Sequence, residues 1–381
     1  MNVTIIKLKD IFTIDNLKVF FQSHNSYLKN IFSEKHYRHI KQTIMNFLEC
    51  RDYKKNYAIF ECSICGKRAI RPHTCKSRMC PTCGRIYSKD IANNFIAKMV
   101  DKNHRHILFT MPDYLWPFFI GNTNLLASIS DELFLLFKQY FNKKGIDVFG
   151  FSVFIHTFGR DIKFNAHLHI IITEGGFKKD LTWKHLTDIH YKFFKNKFKF
   201  ILYKTLRTNL TFSDNLKKAF DRLWHKDTHV FFNVKGETLT DPNKAVKYLG
   251  RYLARPPIAE YRIISQTKHT VTFWYIDLKN KKKKFLTLTK IEFIKRIILQ
   301  IPAKNFKMIR HYCLYSRNIS KKIKRQRKIL ALKFKLIAKK LSWQQKIFEW
   351  IGFNPLFCSE CKIEMKIISI IYKKKVYNLR T

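Results

Sequence analysis

Two histidines separated by one residue, in Ala166-His167-Leu168-His169-Ile170-Ile171-Ile172, are the first residues whose spacing suggests chemistry. In a strand, side chains alternate between faces, so His167 and His169 share one face while Leu168 and Ile170 pack on the other. Two imidazoles one pleat apart can share a divalent cation, and a third polar ligand would complete the protein's contribution. His156, in the apolar run just before, is a candidate third ligand. It is equally suited to hydrogen-bond and orient the site from behind. His106 and Glu174 are weaker candidates. A lone histidine on a strand is usually structural; the pairing and the apolar run that follows make this segment different.

A second group of reactive residues lies in Asp241-Pro-Asn-Lys-Ala-Val-Lys-Tyr-Leu-Gly-Arg-Tyr-Leu-Ala-Arg-Pro-Pro257. Pro242 suits the first position of a helix, and Pro256 and Pro257 must end it. Tyr248 and Tyr252 are four apart, which puts both phenols on one helix face. Lys244, Lys247, Arg251 and Arg255 are placed to neutralise phosphates. A tyrosine hydroxyl has a free pKa of about 10 and is a weak nucleophile, so it needs a phosphate activated by a Lewis acid. Taken alone, the segment is better read as an amphipathic helix whose tyrosines fill a core.

The third group is cysteine. Cys62-x-x-Cys65 and Cys80-x-x-Cys83 have the spacing of two thiolate knuckles closing on one structural Zn2+. Gly66 and Gly84 follow the knuckles, where a tight backbone turns amide N–H groups toward sulfur. Cys75, His73 and Cys50 are surplus ligands, with Cys75 either a ligand or a buried thiol beside the site. Arg78, with Lys67, Arg68, Arg71, Lys76 and Arg85, makes the module basic enough to bind DNA. Cys358 and Cys361 supply only two ligands, which either complete a site with residues from elsewhere or stand idle. Nine cysteines, an odd number and mostly clustered, suggest metal thiolates in a reducing compartment and hence a cytoplasmic protein.

Among 381 residues, 74 Lys and Arg face 27 Asp and Glu, a net charge of +47. A/T-rich codon usage raises lysine, isoleucine, phenylalanine and asparagine together, but it does not explain so few acidic residues. A field of this sign attracts a polyanion, and nucleic acid is the commonest. The 46% hydrophobic content supports a real core. No apolar stretch is long enough to span a membrane, and Met1 to Asp10 lacks a signal-peptide cleavage site. No convincing trio of carboxylates appears, which sets aside carboxylate-metal cut-and-paste chemistry. Oligomeric state is left open.

The elements that must position these residues read as follows. Residues 1–55 have helical spacing, and Tyr87 to Met99 forms a helix leading out of the cysteine cluster. His104 to Met111 is a strand stopped by Pro112. Asp131 to Phe141 is an amphipathic helix with Ser130 as its N-cap. Phe149 to Phe158 and Ala166 to Thr173 form an antiparallel pair, with His104 to Met111 as a neighbour. Trp183 to Phe198 and Asn215 to Leu223 read as helical, and His229 to Val234 as a strand. Val271 to Leu278 and Lys284 to Leu288 make a hairpin, and the last quarter is basic and mostly helical. The expected fold is α+β, a central antiparallel sheet flanked by helices. Residues 1–100 form a helical, zinc-binding module, 101–300 the catalytic domain, and 301–381 a basic C-terminal region with a CxxC pair.

In combination these motifs resemble the two-tyrosine rolling-circle transposases of the insertion sequence ninety-one family, within the HUH endonuclease group. The resemblance is carried by Ser77-Arg-Met-Cys-Pro-Thr-Cys83, His106-Ile-Leu-Phe-Thr-Met-Pro112, His156-Thr-Phe-Gly159 and Asn165-Ala-His-Leu-His169 with Gly175-Gly176. It continues through Lys247-Tyr-Leu-Gly-Arg-Tyr-Leu-Ala-Arg-Pro-Pro-Ile-Ala259, Ile301 to Tyr312, and Cys358-x-x-Cys361. It implies that His167 and His169 hold a catalytic Mg2+ or Mn2+. It also implies that Tyr248 and Tyr252 each form a 5′-phosphotyrosine link on single-stranded DNA at the element's ends and target. Plasmid-type replication initiators share this chemistry, but the zinc ribbon and the match beyond the tyrosines favour a transposase. Two departures stand out: Ala166 where such proteins often have proline, and Cys313 where glycine is expected after Tyr312.

Overall fold

The computed structural model describes residues 5–186, 188–225, 232–233, 256–277, 280–331 and 356–378 except 374, with isolated positions between 342 and 354. Three helices open the chain: α1 (Leu8–Ile11), α2 (Ile14–Ile31) and α3 (Glu34–Leu48). Thr13 and Ser33 cap the longer two, each side-chain oxygen accepting an N–H of the first turn, a contact worth about 1 kcal/mol. Strands β1 (Tyr57–Glu61) and β2 (Arg68–Pro72) follow, then α4 (Pro81–Ile96). Helix α4 begins at the cysteines themselves, with Cys80 as its N-cap and proline at its first position.

The middle of the chain builds the sheet that carries the histidines. It contains β3 (His104–Thr110), α5 (Thr123–Lys143), β4 (Val148–Phe158), β5 (Phe164–Phe177), β6 (Trp183–His185), α6 (Tyr191–Asn209), α7 (Asp214–Trp224) and β7 (Phe232–Asn233). Then come β8 (Ile263–Gln266), β9 (Thr270–Ile276), β10 (Lys283–Thr289), α8 (Lys290–Ile298), β11 (Ile309–Cys313), α9 (Lys321–Ile329), β12 (Lys366–Tyr372) and β13 (Lys375–Asn378). The sheet order is β11-β4-β5-β3-β7 with β6 on β5, and its pairings are antiparallel. The fold is therefore α+β with a central antiparallel sheet, as the sequence leads one to expect.

Period-two alternation divides that sheet into two unlike faces. Phe151, Val153 and Ile155 of β4, with Ala166, Leu168, Ile170 and Ile172 of β5, point into a core closed by α5, α6 and α7. Aromatic rings dominate there: Phe137 stacks on Phe194 and Phe141 on Phe149, each pair with centroids 4.1 Å apart. The opposite face is covered by α4, whose Ala92, Phe95 and Ile96 meet Phe154, Ile171, Leu314 and Tyr315. The histidine face of the sheet is thus the face against which the cysteine module's exit helix lies.

Two further bodies use distant parts of the chain. The expected hairpin is present as β9 and β10, and with β8 and α8 it shares a core with α1–α3, including Phe20, Phe47, Phe273 and Phe293. Residues near 260–300 therefore pack on the N-terminal helices. A second four-stranded sheet has the order β13-β12-β1-β2, so the last strands of the chain complete the ribbon begun at Tyr57.

Several elements differ from the sequence expectation. Helix α5 starts at Thr123, and Ser130 is an interior residue whose hydroxyl donates to the Leu126 carbonyl, a bond that satisfies it without capping. Residues 183–185 form a strand, not the start of a helix. Gly175, with φ of 126°, brings its backbone so close that a Cβ there would lie 2.2 Å from the Lys184 carbonyl oxygen. The last quarter contributes β11, β12 and β13 where helix was expected, because β11 and β12 find partner strands in the remote β4 and β1, and β13 folds back on β12. Cys313, at the place where glycine was expected, has φ of 46°, the left-handed conformation glycine adopts without strain. Among the described residues, no helix is long and apolar enough to cross a membrane.

Candidate functional site

The three histidines converge because two long strands are in register. His156 lies directly opposite His167 across the β4–β5 ladder, and His169 is one pleat further along β5. The ladder shifts register between His156 and Phe158, so a bulge ends the regular pairing beside the site. Ring centroids are 5.3 Å apart for His156 and His167, 4.5 Å for His156 and His169, and 5.0 Å for His167 and His169. One ring nitrogen from each residue lies within 4.8 Å of the others. His156 and His169 are buried and His167 is half-buried, which leaves the His167 side as the more open approach.

Hydrogen bonds fix which nitrogens face the cluster. His167 Nδ1 lies 2.7 Å from the Asn165 carbonyl oxygen. A carbonyl only accepts, so Nδ1 carries the proton and Nε2 keeps its lone pair. His169 Nδ1 lies 2.8 Å from Nε2 of His106, and the two rings are stacked within 12° of parallel. In the tautomer that donates Nδ1–H to His106, Nε2 of His169 carries the lone pair that a cation needs. Burial pulls the His167 pKa down to about 4, and burial with the neighbouring imidazoles holds His169 well below its usual value. Both rings are therefore neutral at pH 7 and present lone pairs, which a cation site requires. Three imidazoles fit a divalent first-row ion, and of the two ions expected they suit Mn2+ better than oxygen-seeking Mg2+. His106 is thus placed behind His169. Glu174 is directed elsewhere, accepting from Arg105 at 2.8 and 2.5 Å in an ion pair that also engages Tyr191.

The cysteines form two clusters. The expectation that Cys62, Cys65, Cys80 and Cys83 would surround one zinc is not met, because the two CxxC loops lie in different bodies. Cys80 and Cys83 join Cys50 and Cys75, with their sulfurs within 4.8 Å of one another. Cys83 Sγ is 3.5 Å from Cys50 Sγ, and the Cys75 N–H donates to Cys50 Sγ at 3.3 Å. Cys62 and Cys65 instead lie beside Cys358 and Cys361. Four thiolates around the start of α4, three of them buried, have the donor set and spacing of a structural tetrahedral zinc. Cys75 is therefore part of the cluster and not a bystander. Cys50 was visible only as a surplus thiol, since it sits alone with no second cysteine nearby in sequence. Cysteine arithmetic carries the number of sites but not their members: with Cys313 set aside, the remaining eight make two sets of four.

Tyr248 and Tyr252, with Lys244, Lys247, Arg251 and Arg255, lie outside the described residues. Pro256, which ends their segment, is placed at the first turn of α4. A Cβ built on Gly84 would stand 3.3 Å from the Pro256 ring and 2.7 Å from the Arg78 carbonyl oxygen. Helix α4 thus touches the end of the tyrosine segment at Gly84 and the histidine sheet at Phe95. Arg78 is half-buried in this junction, where burial lowers its guanidinium pKa to about 10.

Comparison with known proteins agrees with this layout. Residues 19–111 match a family model described as a transposase zinc-binding domain, and residues 150–323 match one described as a putative transposase. A transposase for insertion sequence element IS801 from Pseudomonas savastanoi pv. phaseolicola is 29% identical over 273 residues, 65% of this chain and 64% of that protein. A putative transposase, y4qJ, from Sinorhizobium fredii is 25% identical over 295 residues, 71% of this chain and 73% of that protein. The chain thus spans just under two thirds of the first relative's length. No solved structure matches. The matched zinc-binding region holds the Cys50 cluster, and the matched transposase region holds all three histidines and both tyrosine positions; together with the IS801 relative, these matches support a transposase of the insertion sequence ninety-one type with an N-terminal zinc-binding domain.

Proposed function

We propose that this chain nicks and rejoins single-stranded DNA at the ends of an insertion sequence, with His156, His167 and His169 holding a divalent cation and Tyr248 and Tyr252 as nucleophiles. The observation that carries the reading is the convergence of three imidazoles on one sheet face, with His167 and His169 held neutral by burial, His167 Nδ1 on the Asn165 carbonyl and His169 Nδ1 against His106. A Mn2+ or Mg2+ bound there would polarise the scissile phosphate as a Lewis acid. The phenol oxygen of one tyrosine attacks phosphorus, forming a 5′-phosphotyrosine bond and breaking the bond to the 3′ oxygen. That oxygen leaves as a 3′-OH, taking up a proton to match the one the phenol gives up. The ester conserves the energy of the broken bond, so a 3′-OH can later attack it, rejoin DNA and restore the tyrosine without ATP. A second tyrosine lets one DNA end stay attached while another is cut. The net charge of +47 supports a polyanionic partner, and Lys244, Lys247, Arg251 and Arg255 are suited to neutralise phosphates flanking the cut.

The test is cleavage of labelled single-stranded DNA from the element's ends, with Mn2+ or Mg2+, read on denaturing gels that reveal covalent adducts. A metal-dependent adduct is expected that persists in Tyr248→Phe or Tyr252→Phe and disappears in the double variant and in His167→Ala. An adduct lost with one tyrosine alone would reduce the mechanism to a single nucleophile. No adduct from folded wild type on a cognate end would leave the chain as a DNA-binding protein.

A further inference from the structure

Four of the five cysteines outside the Cys50 cluster form a site of their own. Cys62-x-x-Cys65 and Cys358-x-x-Cys361 sit in two loops with the same backbone design. In each, the N–H four residues after the first cysteine returns to that cysteine's carbonyl, Gly66 to Cys62 at 3.0 Å and Lys362 to Cys358 at 3.1 Å. In each, the first cysteine's own N–H donates to the carbonyl five residues on, Cys62 to Lys67 at 3.0 Å and Cys358 to Ile363 at 2.9 Å. The fourth position is left-handed both times, with φ of 67° at Gly66 and 53° at Lys362. This folding wraps the backbone around the first sulfur, and the N–H groups of Ile64 and Cys65 point at Cys62.

The two loops face one another because their strands pair. Strand β1 leads into the first loop, β12 leads out of the second, and they run antiparallel with Glu61 opposite Lys366. Cys65 and Cys358 sulfurs are 3.7 Å apart, far beyond the 2.05 Å or so of a disulfide. Two sulfurs bound about 2.3 Å from one tetrahedral zinc stand about 3.8 Å apart, which is the spacing seen. All four sulfurs lie within 4.8 Å of each other, and Cys62, Cys358 and Met365 form a small buried cluster flanked by Phe60, Ala69 and Ile363. Lys67 bridges the loops through Glu360 at 2.7 Å, placing a cation beside a tetrathiolate centre that would carry a net negative charge.

We propose that Cys62, Cys65, Cys358 and Cys361 bind a second structural Zn2+, distinct from the Cys50 site, that fastens the last strands of the chain to the N-terminal ribbon. Its zinc count is independent of DNA chemistry, so this proposal and the nuclease proposal fail separately. The experiment is metal analysis by mass spectrometry on full-length protein purified without chelators, with circular dichroism to confirm folding. Wild type should carry two zinc ions per chain. Cys358→Ser/Cys361→Ser, Cys62→Ser/Cys65→Ser and the combined four-fold variant should each carry one, because both halves belong to a single site. If the serine variants fail to fold, Cys361→His, which replaces the sulfur ligand by a ring nitrogen that also binds zinc, should fold and retain two ions. One zinc in wild type, two in Cys358→Ser/Cys361→Ser, loss of folding in Cys361→His as well, or iron in place of zinc would each overturn the assignment.

Discussion

The hydrogen bond between His169 Nδ1 and His106 Nε2 offers a direct test of how the histidine site is built. Replacing His106 by leucine leaves Nδ1 of His169 facing an apolar side chain, with the ring 5% exposed and little access to water. An unpartnered buried donor costs about 1–3 kcal/mol, and loss of an outer partner of a metal-binding histidine weakens metal affinity about 10–100-fold. The two ranges agree, since tenfold is about 1.4 kcal/mol. Titration of the folded protein with Mn2+, following the paramagnetic resonance of free aqueous ion, should therefore show Kd rising about 10–100-fold in His106→Leu. His106→Gln, whose amide oxygen can still accept, should recover most of that loss. Thermal melts run alongside separate lost affinity from lost folding. Binding by His106→Leu within about twofold of wild type would refute the positioning role, meaning that packing alone orients His169.

A second buried histidine and a left-handed cysteine give two further tests. His104 is fully buried with its pKa lowered to about 4, so the unfolded chain takes up a proton near pH 6.5 that the folded chain refuses. Its contribution is complete above pH 6.5 and falls as pH drops toward 4. That is about 3 kcal/mol across the window, so urea melts should show a pH dependence smaller by about that amount in His104→Phe than in wild type, the remainder coming from His167, His169 and His311. Cys313 has φ of 46°, and Cys313→Gly should relieve a strain of about 1–2 kcal/mol at the cost of some chain entropy. A net gain of up to about 1 kcal/mol is expected, read as a higher Tm, and a loss would mean that the thiol's contacts outweigh the strain.

The sequence made the histidine face legible because alternation in β5 is regular and its registry with β4 follows from apolar matching on the other side. Leu168 opposite Ile155 and Ile170 opposite Val153 lock the ladder, and His167 opposite His156 is then unavoidable. Helices α2, α3 and α7 were readable for a similar reason, each having one apolar stripe and a serine or threonine cap. The ligand sets of the cysteines were not readable. Spacing along the chain pairs Cys62 with Cys80, whereas a sheet joining residues 57–61 to 366–372 pairs Cys62 with Cys358. Such a contact leaves no local periodicity to detect. The start of α5 was missed because Thr123 to Ile129 is apolar enough to hide where the helix begins, and Ser130 invited a cap two turns too late.

The pairing of β1 with β12 also has a consequence for the order in which the protein is made. Tyr57–Glu61 leaves the ribosome about 300 residues ahead of the strand that covers it. At about 5–20 residues per second, that edge waits about 15–60 seconds with its backbone donors and acceptors exposed. An uncovered edge is a template for pairing with other chains, and nascent copies on one message lie close together. Strand β2 cannot shield that edge, because it pairs with the opposite side of β1, so the edge stays open until the chain's own last strands arrive.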